Sequence, residues 1–180
     1  MQTIKTTAGV SAANYKHEPG CKKYGEGQGK TSSPANWLFQ ISTLLGALHS
    51  LVLGLNMVSV CGSYVENRVA EAFVDDTDCT YVNQEDQSNE TPSRIRDRLK
   101  SIAQTWENLI FGSGGSLSHA KTYWWLIWWN WENEHATMAT STDIPLDLNI
   151  HFGTDPEPKQ LKRKEPFESI RQLGLKNNPA

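Results

Sequence analysis

The 180-residue sequence predicts a mainly α fold: a single membrane-spanning helix, amphipathic helices, one short strand and flexible polar termini. Three observations lead there. No Asp, Glu, Lys or Arg occurs between Thr31 and Val65, where "WLFQISTLLGALHSLVLGLNMVSV" is dominated by leucine, valine and isoleucine. Apolar residues recur at helical spacing from Ile95 to Ile110. Five tryptophans fall within the eight residues Trp124 to Trp131. The organisation they imply is a polar basic segment over 1–34, a helical membrane-associated domain over 35–153 and a flexible tail over 154–180.

Composition bounds the functions. A hydrophobic content of 38% permits one modest core. A net charge of −3 and a pI near 5.9 argue against nucleic acid as a partner, because a phosphate-tracking surface carries a basic patch or stripe. Three cysteines, Cys21, Cys61 and Cys79, are too few for a disulfide framework.

The opening segment holds Lys5, Lys16, Lys22, Lys23 and Lys30 against Glu18 and Glu26, without the short apolar region of a cleaved secretory signal. Within it "GEGQGKT" invites comparison with a phosphate loop, but Tyr24 stands where the first glycine should be and no hydrophobic strand precedes it.

The uncharged run that follows is long enough for a span near Trp37 to Val60, since about 20 apolar residues cross a bilayer core as a helix. Trp37 and Tyr64 sit near its ends, where amphipathic rings favour the headgroup region. Gln40, His49 and Asn56 keep open the alternative of a buried helix in a soluble bundle. Ser42, Gly46, Ser50 and Gly54 recur every fourth residue, a strip of small side chains suited to helix packing and self-association. Beyond the run, up to Glu90, eight acids face Arg68 alone, so the positive-inside rule leaves the N-terminus cytosolic, a signal-anchor topology. That orientation makes Asn89 of "NET" a glycosylation candidate, with Pro92 directly after the sequon against it, and makes Cys61 and Cys79 disulfide candidates. The localisation implied is a membrane of the secretory pathway or cell surface, with an organelle membrane as the alternative.

From Thr91 an amphipathic helix is expected: Thr91 as N-cap, Pro92 in the first position and Gly112 as the stop. Ile95, Leu99, Ile102, Trp106, Leu109 and Ile110 follow the helical period, leaving Arg94, Arg98, Lys100 and Glu107 off that face. "FGSGGSLS" then supplies a flexible joint. In "TYWWLIWWNWENEH" ten uncharged residues are too few for a second span. As a helix, Trp124, Trp128 and Trp131 share one face and Trp125 and Trp129 flank it, which suggests a membrane-interface anchor. A packed aromatic core and a carbohydrate-stacking platform remain alternatives. "DIPLDLNIHF" alternates Leu146, Leu148, Ile150 and Phe152 with polar residues, a half-buried strand. The tail is expected to hold a short helix near Phe167 to Leu173 and a basic pair, Lys162-Arg163, that is either a processing candidate or simply solvated.

No catalytic, cofactor or metal site follows from the sequence. The five histidines lack helical pairing with glutamate, and "VDDTDC" lacks the central glycine of a calcium loop. The segment "LGLNMVSVCGSYVENRVAEAFVDDTDC" and the later "TDIPLDL" resemble the hydrophobic toxin subunit of the yeast virus-encoded killer preprotoxins. That resemblance implies a secretory-pathway precursor cut after basic pairs, here Lys162-Arg163, whose product makes the plasma membrane of sensitive fungi ion-permeable, with Cys61 and Cys79 as disulfide candidates. The functional expectation is therefore a non-enzymatic protein that inserts into or perturbs a lipid bilayer, alone or after self-association. The alternative is a small accessory subunit of a larger membrane complex.

Overall fold

A computed structural model of the chain describes residues 5–6, 9–10, 33–52, 54–73, 76–82, 90–168, 170–172 and 175–177. Cys21, Asn89 and the "GEGQGKT" stretch lie outside them. A short antiparallel pair, β1 (Lys5–Thr6) and β2 (Gly9–Val10), precedes the first helix, α1 (Ser33–Leu51). Pro34 lies in the first turn of α1, where the missing N–H is no loss.

The uncharged run does not continue as one helix. It ends its helical part at Leu51, passes Gly54, and becomes β3 (Leu55–Val58), which folds back through residues 59–64 onto β4 (Val65–Arg68) with Leu55 opposite Arg68 and Val58 opposite Val65. Glycine is required at 54 because a Cβ there would sit 2.3 Å from the Arg68 carbonyl oxygen. The expectation of a membrane-spanning, signal-anchor helix is thereby corrected: no helix among the described residues is long and apolar enough to cross a membrane. Only 19 residues are helical, and they include Asn36, Gln40, Ser42, Thr43, His49 and Ser50. An apolar run carries no period that separates helix from strand, and here the pairing with Val65–Arg68 decided the matter. A second ribbon follows directly, β5 (Ala70–Phe73) against β6 (Asp76–Cys79).

The second helix, α2 (Pro92–Gly112), matches expectation at both ends. The Thr91 hydroxyl accepts from the Arg94 N–H at 3.4 Å, Pro92 opens the helix, and Ser113 closes it with its N–H on the Leu109 and Ile110 carbonyls. α2 separates two hydrophobic cores. On one side Ile102 and Trp106 join Ile41 and Leu48 of α1 and Val69, which lies between β4 and β5. On the other, Ile95, Leu99 and Ala103 pack against a core of Trp124, Leu126, Leu148, Ile150, Phe152 and Leu161. Leu117 touches both.

That second core is built from short extended pieces: β7 (Tyr123–Trp124), β8 (Trp129–Glu132), β9 (His135–Met138), β10 (Asn149–Ile150), β11 (Lys159–Gln160) and β12 (Lys162–Arg163). β8 pairs with β9 and β10 with β11, both antiparallel, while β7 and β12 run parallel. Burial in "DIPLDLNIHF" alternates as expected at Leu148, Ile150 and Phe152, which are buried beside exposed Asp147 and His151, but only Asn149–Ile150 of the expected strand is strand. Residues beyond 153, expected to form a polar tail, place Leu161 and Pro166 among the buried side chains. The short helix expected near Phe167 to Leu173 is instead a strand, β13 (Ile170–Gln172), paired with β14 (Leu175–Asn177).

The fold class is thus not mainly α. Two helices and seven two-stranded sheets make up the described residues, and the region expected to hold one strand holds several. Most of the pairing is between strands close in sequence, the parallel pair β7–β12 being the long-range exception, and β5, β6 and β10 pack on the helices.

Candidate functional site

The tryptophan-rich stretch is not helical: Tyr123–Trp124 and Trp129–Glu132 are strands, joined by residues 125–128 without regular structure. Burial alternates along it, with Trp124, Leu126 and Trp128 covered and Ile127, Trp129 and Trp131 exposed, and within β8 Trp129 and Trp131 share one strand face. Trp124 is 4% exposed and Leu126 is buried; Trp128 packs against the same core from its edge. Trp125 is half-buried beside Tyr123, the two rings meeting edge to face at 5.2 Å. Further along the stretch the cover ends. Ile127, Trp129 and Trp131 are all exposed, Trp129 at 48% and Trp131 at 72%.

β8 and β9 carry these exposed rings away from the core. Trp129 stands opposite Met138 and Trp131 opposite the small Ala136. The two-residue turn between Glu132 and His135 places Asn133 at φ 49° and Glu134 at φ 66°, the mirror-image turn whose twist suits a hairpin. The ribbon is tied at its base, where the Ala139 N–H donates to the Trp128 carbonyl at 2.8 Å. Its tip carries the exposed carboxylates Glu132 and Glu134 with His135 and Asn133. The product is an apolar stripe on one face, acids at the end, and a buried aromatic foundation.

Arg163 shows how firmly that foundation is held. Its guanidinium lies 5.3 Å from the Trp124 ring centroid and donates to the Ile144 carbonyl. Burial draws its pKa down, while Glu165 and Asp147 pull the other way. The neighbouring Lys162 is exposed, and both belong to the strand that pairs with Tyr123–Trp124. The basic pair considered for processing therefore forms part of the aromatic core's wall. Buried indole N–H groups of Trp124 and Trp125, and Nε and Nη2 of Arg163, have no hydrogen-bond partner among the described residues.

Glu107 was missed by periodicity. Placed off the apolar face by its charge, it is 1% exposed and organises the glycine-serine joint. Its carboxylate accepts from the Leu117 N–H at 2.8 Å, the Gly153 N–H at 2.9 Å and the Ser116 hydroxyl at 3.1 Å. One carboxylate thus fixes the entrance to the tryptophan stretch and the turn after Phe152 against α2. The remaining clue in the sequence was that Glu107 is the one charged residue in the C-terminal half of α2, Ile102–Gly112, shortly before a glycine-serine loop.

The other expected site residues are dispersed. Trp37 lies on α1, 37% exposed and far in sequence from the other tryptophans. Ser42, Gly46 and Ser50 are exposed on α1, whereas Gly54 lies past the helix end and is buried on the β4 backbone, so the four do not form one helical strip. Cys61 and Cys79 are free thiols in contrasting settings. Cys61 is exposed at the tip of the β3–β4 ribbon, where the Ser59 and Ser63 hydrogen bonds lower its pKa to about 7. Cys79 is half-buried in β6, where desolvation, with Asp78 adding to it, raises its pKa to about 12. A second buried acid, Glu90, receives the Tyr81 hydroxyl at 2.9 Å just before α2.

No family model, curated protein or solved structure matches the chain. The resemblance to killer preprotoxins accordingly rests on its two sequence segments alone.

Proposed function

We propose that this chain is a non-enzymatic accessory protein that docks onto a larger protein partner through the exposed face of the β8–β9 ribbon. One observation carries the reading: Trp129 and Trp131 stand on the same strand face, 48% and 72% exposed, on a ribbon whose base is anchored in a buried aromatic core. Large exposed apolar surface is costly to leave in water and marks an interaction site. Tryptophan is also the residue most enriched among side chains that dominate binding energy. Each indole buries roughly 150–250 Å² when covered, so the pair supplies a central anchor within an interface that needs about 800 Å² per partner.

The flanking charge favours protein over lipid. Glu132 and Glu134 are exposed at the ribbon tip, next to Trp131. Anionic lipid surfaces carry a negative potential that repels carboxylates, while an apolar groove with a basic rim on a protein would complement them.

The test is purification of the tagged full chain from the cells that make it, beside a Trp129→Ala/Trp131→Ala variant with the same thermal midpoint. A defined partner in fixed stoichiometry with the native chain, and absent from the variant, supports the reading. The same partner retained by the variant rejects it. Leakage of neutral or anionic vesicles caused by the purified chain and abolished in the variant would instead favour the permeabilising activity that the killer-toxin resemblance implies.

A further inference from the structure

The β8–β9 ribbon has a backbone edge as well as an indole face, and the register settles which groups that edge presents. The Ala139 N–H donates to the Trp128 carbonyl, so 128 and 139 are a hydrogen-bonded pair. Bonded and non-bonded pairs alternate along an antiparallel ladder. Asn130 with Thr137 and Glu132 with His135 are therefore bonded pairs, while Trp129 with Met138 and Trp131 with Ala136 are not. The N–H and C=O groups of Trp129 and Trp131 thus point away from β9, and they have no partner among the described residues. β8 pairs with no other described strand than β9, so this edge is open.

Nothing blunts it. Exposed edges are normally kept from pairing by lysine, proline, a bulge or a covering element. The strand Trp129-Asn130-Trp131-Glu132 has neither lysine nor proline, its register with β9 is one to one, and all but Asn130 are exposed. The sequence of the edge selects its occupant. An antiparallel partner must set outward-pointing residues against outward-pointing residues. If the partner is a second β8 and the two-fold axis passes through Asn130, Trp129 faces Trp131 of the second copy and Trp131 faces its Trp129. Residues directly opposite share a sheet face, so each indole meets an indole. Moving the axis to Trp131 would set Trp129 against Asn133, and moving it to Trp129 would set Trp131 against Ile127. The other edge of the ribbon, with Ala136 and Met138 pointing outward, offers no aromatic pairing.

Charge agrees with this register. Glu132 falls opposite Trp128 of the second copy, which leaves the Glu132 carboxylates four strand positions, or about 14 Å, apart. That exceeds the screening length of about 8 Å at physiological salt. With the axis at Trp131 they would stand only about 7 Å apart. The antiparallel arrangement also sends the bodies of the two copies to opposite ends of the paired ribbons.

We propose that the open edge of β8 pairs with β8 of a second copy of this chain, antiparallel and two-fold about Asn130. An edge of 4 residues buries less than the roughly 800 Å² per partner of a stable interface, so the dimer is weak and forms on concentration. Pairing leaves the Trp129 and Trp131 faces uncovered and doubles the indole patch. The use of that patch for docking rests on the function proposed above; the pairing itself does not.

The experiment is sedimentation of the full chain from about 10 µM to about 1 mM, with amide hydrogen exchange read at both ends of the range. A reversible monomer–dimer equilibrium with Kd of about 100 µM is expected. On concentration, exchange at the Trp129 and Trp131 amides should slow several-fold, while Ala136 and Met138 on the other edge keep their rates. Asn130→Lys and Asn130→Asp each set like charges against each other at the axis, and each alone should weaken association by about tenfold or more. An equal mixture of the two variants sets opposite charges there and should regain the native affinity. Both variants are compared at matched thermal midpoints; if either fails to fold, the exchange pattern of the native chain decides alone. The proposal is overturned by a native chain that stays monomeric, by slowing at Ala136 and Met138 instead, or by a mixture that associates no better than its components. None of these readouts needs the docking partner. A monomeric chain that retains its partner sinks the edge pairing alone, and a dimer that retains none sinks the docking reading alone.

Discussion

The two halves of the tryptophan stretch are both rich in indole and differ in how much of it is covered. In the first half Trp124 and Leu126 are buried and even Trp125 is half-covered; in the second, Trp129 and Trp131 stand in solvent. Indole content therefore does not decide burial. Alternation of burial along the stretch decides which rings are covered, and the length of the underlying core decides where cover stops. The covered apolar series Trp124, Leu126, Trp128 gives way to Asn130 and Glu132 once the ribbon passes the core's edge. The alternate series does not turn polar at all, since Ile127, Trp129 and Trp131 continue where solvent would suit polar side chains. A stretch shaped only by folding would be expected to become polar in both series at that point.

The contrast is tested most severely in the buried half. Trp124→Ala should cost about 3–5 kcal/mol of stability, because it opens a cavity in the second core and removes the ring beneath Arg163. Urea unfolding measures this, and a loss below 1 kcal/mol would mean that the first half is not the foundation described. Glu107→Ala attacks the same foundation from α2. It strands two backbone N–H groups and a hydroxyl, and should cost about 2–4 kcal/mol. Glu107→Gln should fall between, because its amide replaces one accepting oxygen with a donor that faces other donors. Equal stability of all three forms would show that the joint is not held by this carboxylate.

Legibility followed locality. α2 was readable from end to end because its cap, its proline and its period are all local features, and the burial of Leu148, Ile150 and Phe152 followed from strict alternation. Non-local facts were hidden. Glu107 is buried because residues 116–117 and Gly153 close over it from nine or more positions away. The end of α1 was hidden in a run where Leu55–Val58 looks as helical as Leu44–Leu48 until Val65–Arg68 pairs with it. The tryptophan ribbon lacked the Asn-Gly signature of its turn, having Asn133-Glu134 instead. With that signal missing, the helical spacing of Trp124, Trp128 and Trp131 was the stronger pattern. The exposed face of the candidate site was legible only as an excess of indole; its one-sidedness required the pairing of β8 with β9.

Glu134 offers a way to sharpen the exposed half without touching an aromatic ring. A non-glycine residue at φ 66° is held against its steric preference. Glu134→Gly relieves that strain while adding freedom to the unfolded chain, for a net gain of about 0.5–1 kcal/mol. A rise in the urea midpoint is the expected result, with docking retained if the tryptophan face alone carries it. A fall would show that the acidic tip stabilises the ribbon by a contact other than the turn.

The smallest expected change in stability belongs to the residue given the largest role in binding. Trp131 is 72% exposed, so Trp131→Ala should alter unfolding free energy by no more than about 0.5 kcal/mol. Its effect should appear instead in partner retention, where a central indole typically accounts for 2 kcal/mol or more, roughly a thirtyfold loss of affinity. Trp124→Ala would lower retention too, but only together with the melting temperature. A variant that keeps its midpoint and loses its partner separates surface from scaffold within eight residues of one strand-like stretch. If Trp131→Ala instead destabilised the chain by several kcal/mol, the exposed half would have to be packing that this arrangement does not contain, and the docking reading would lose its basis.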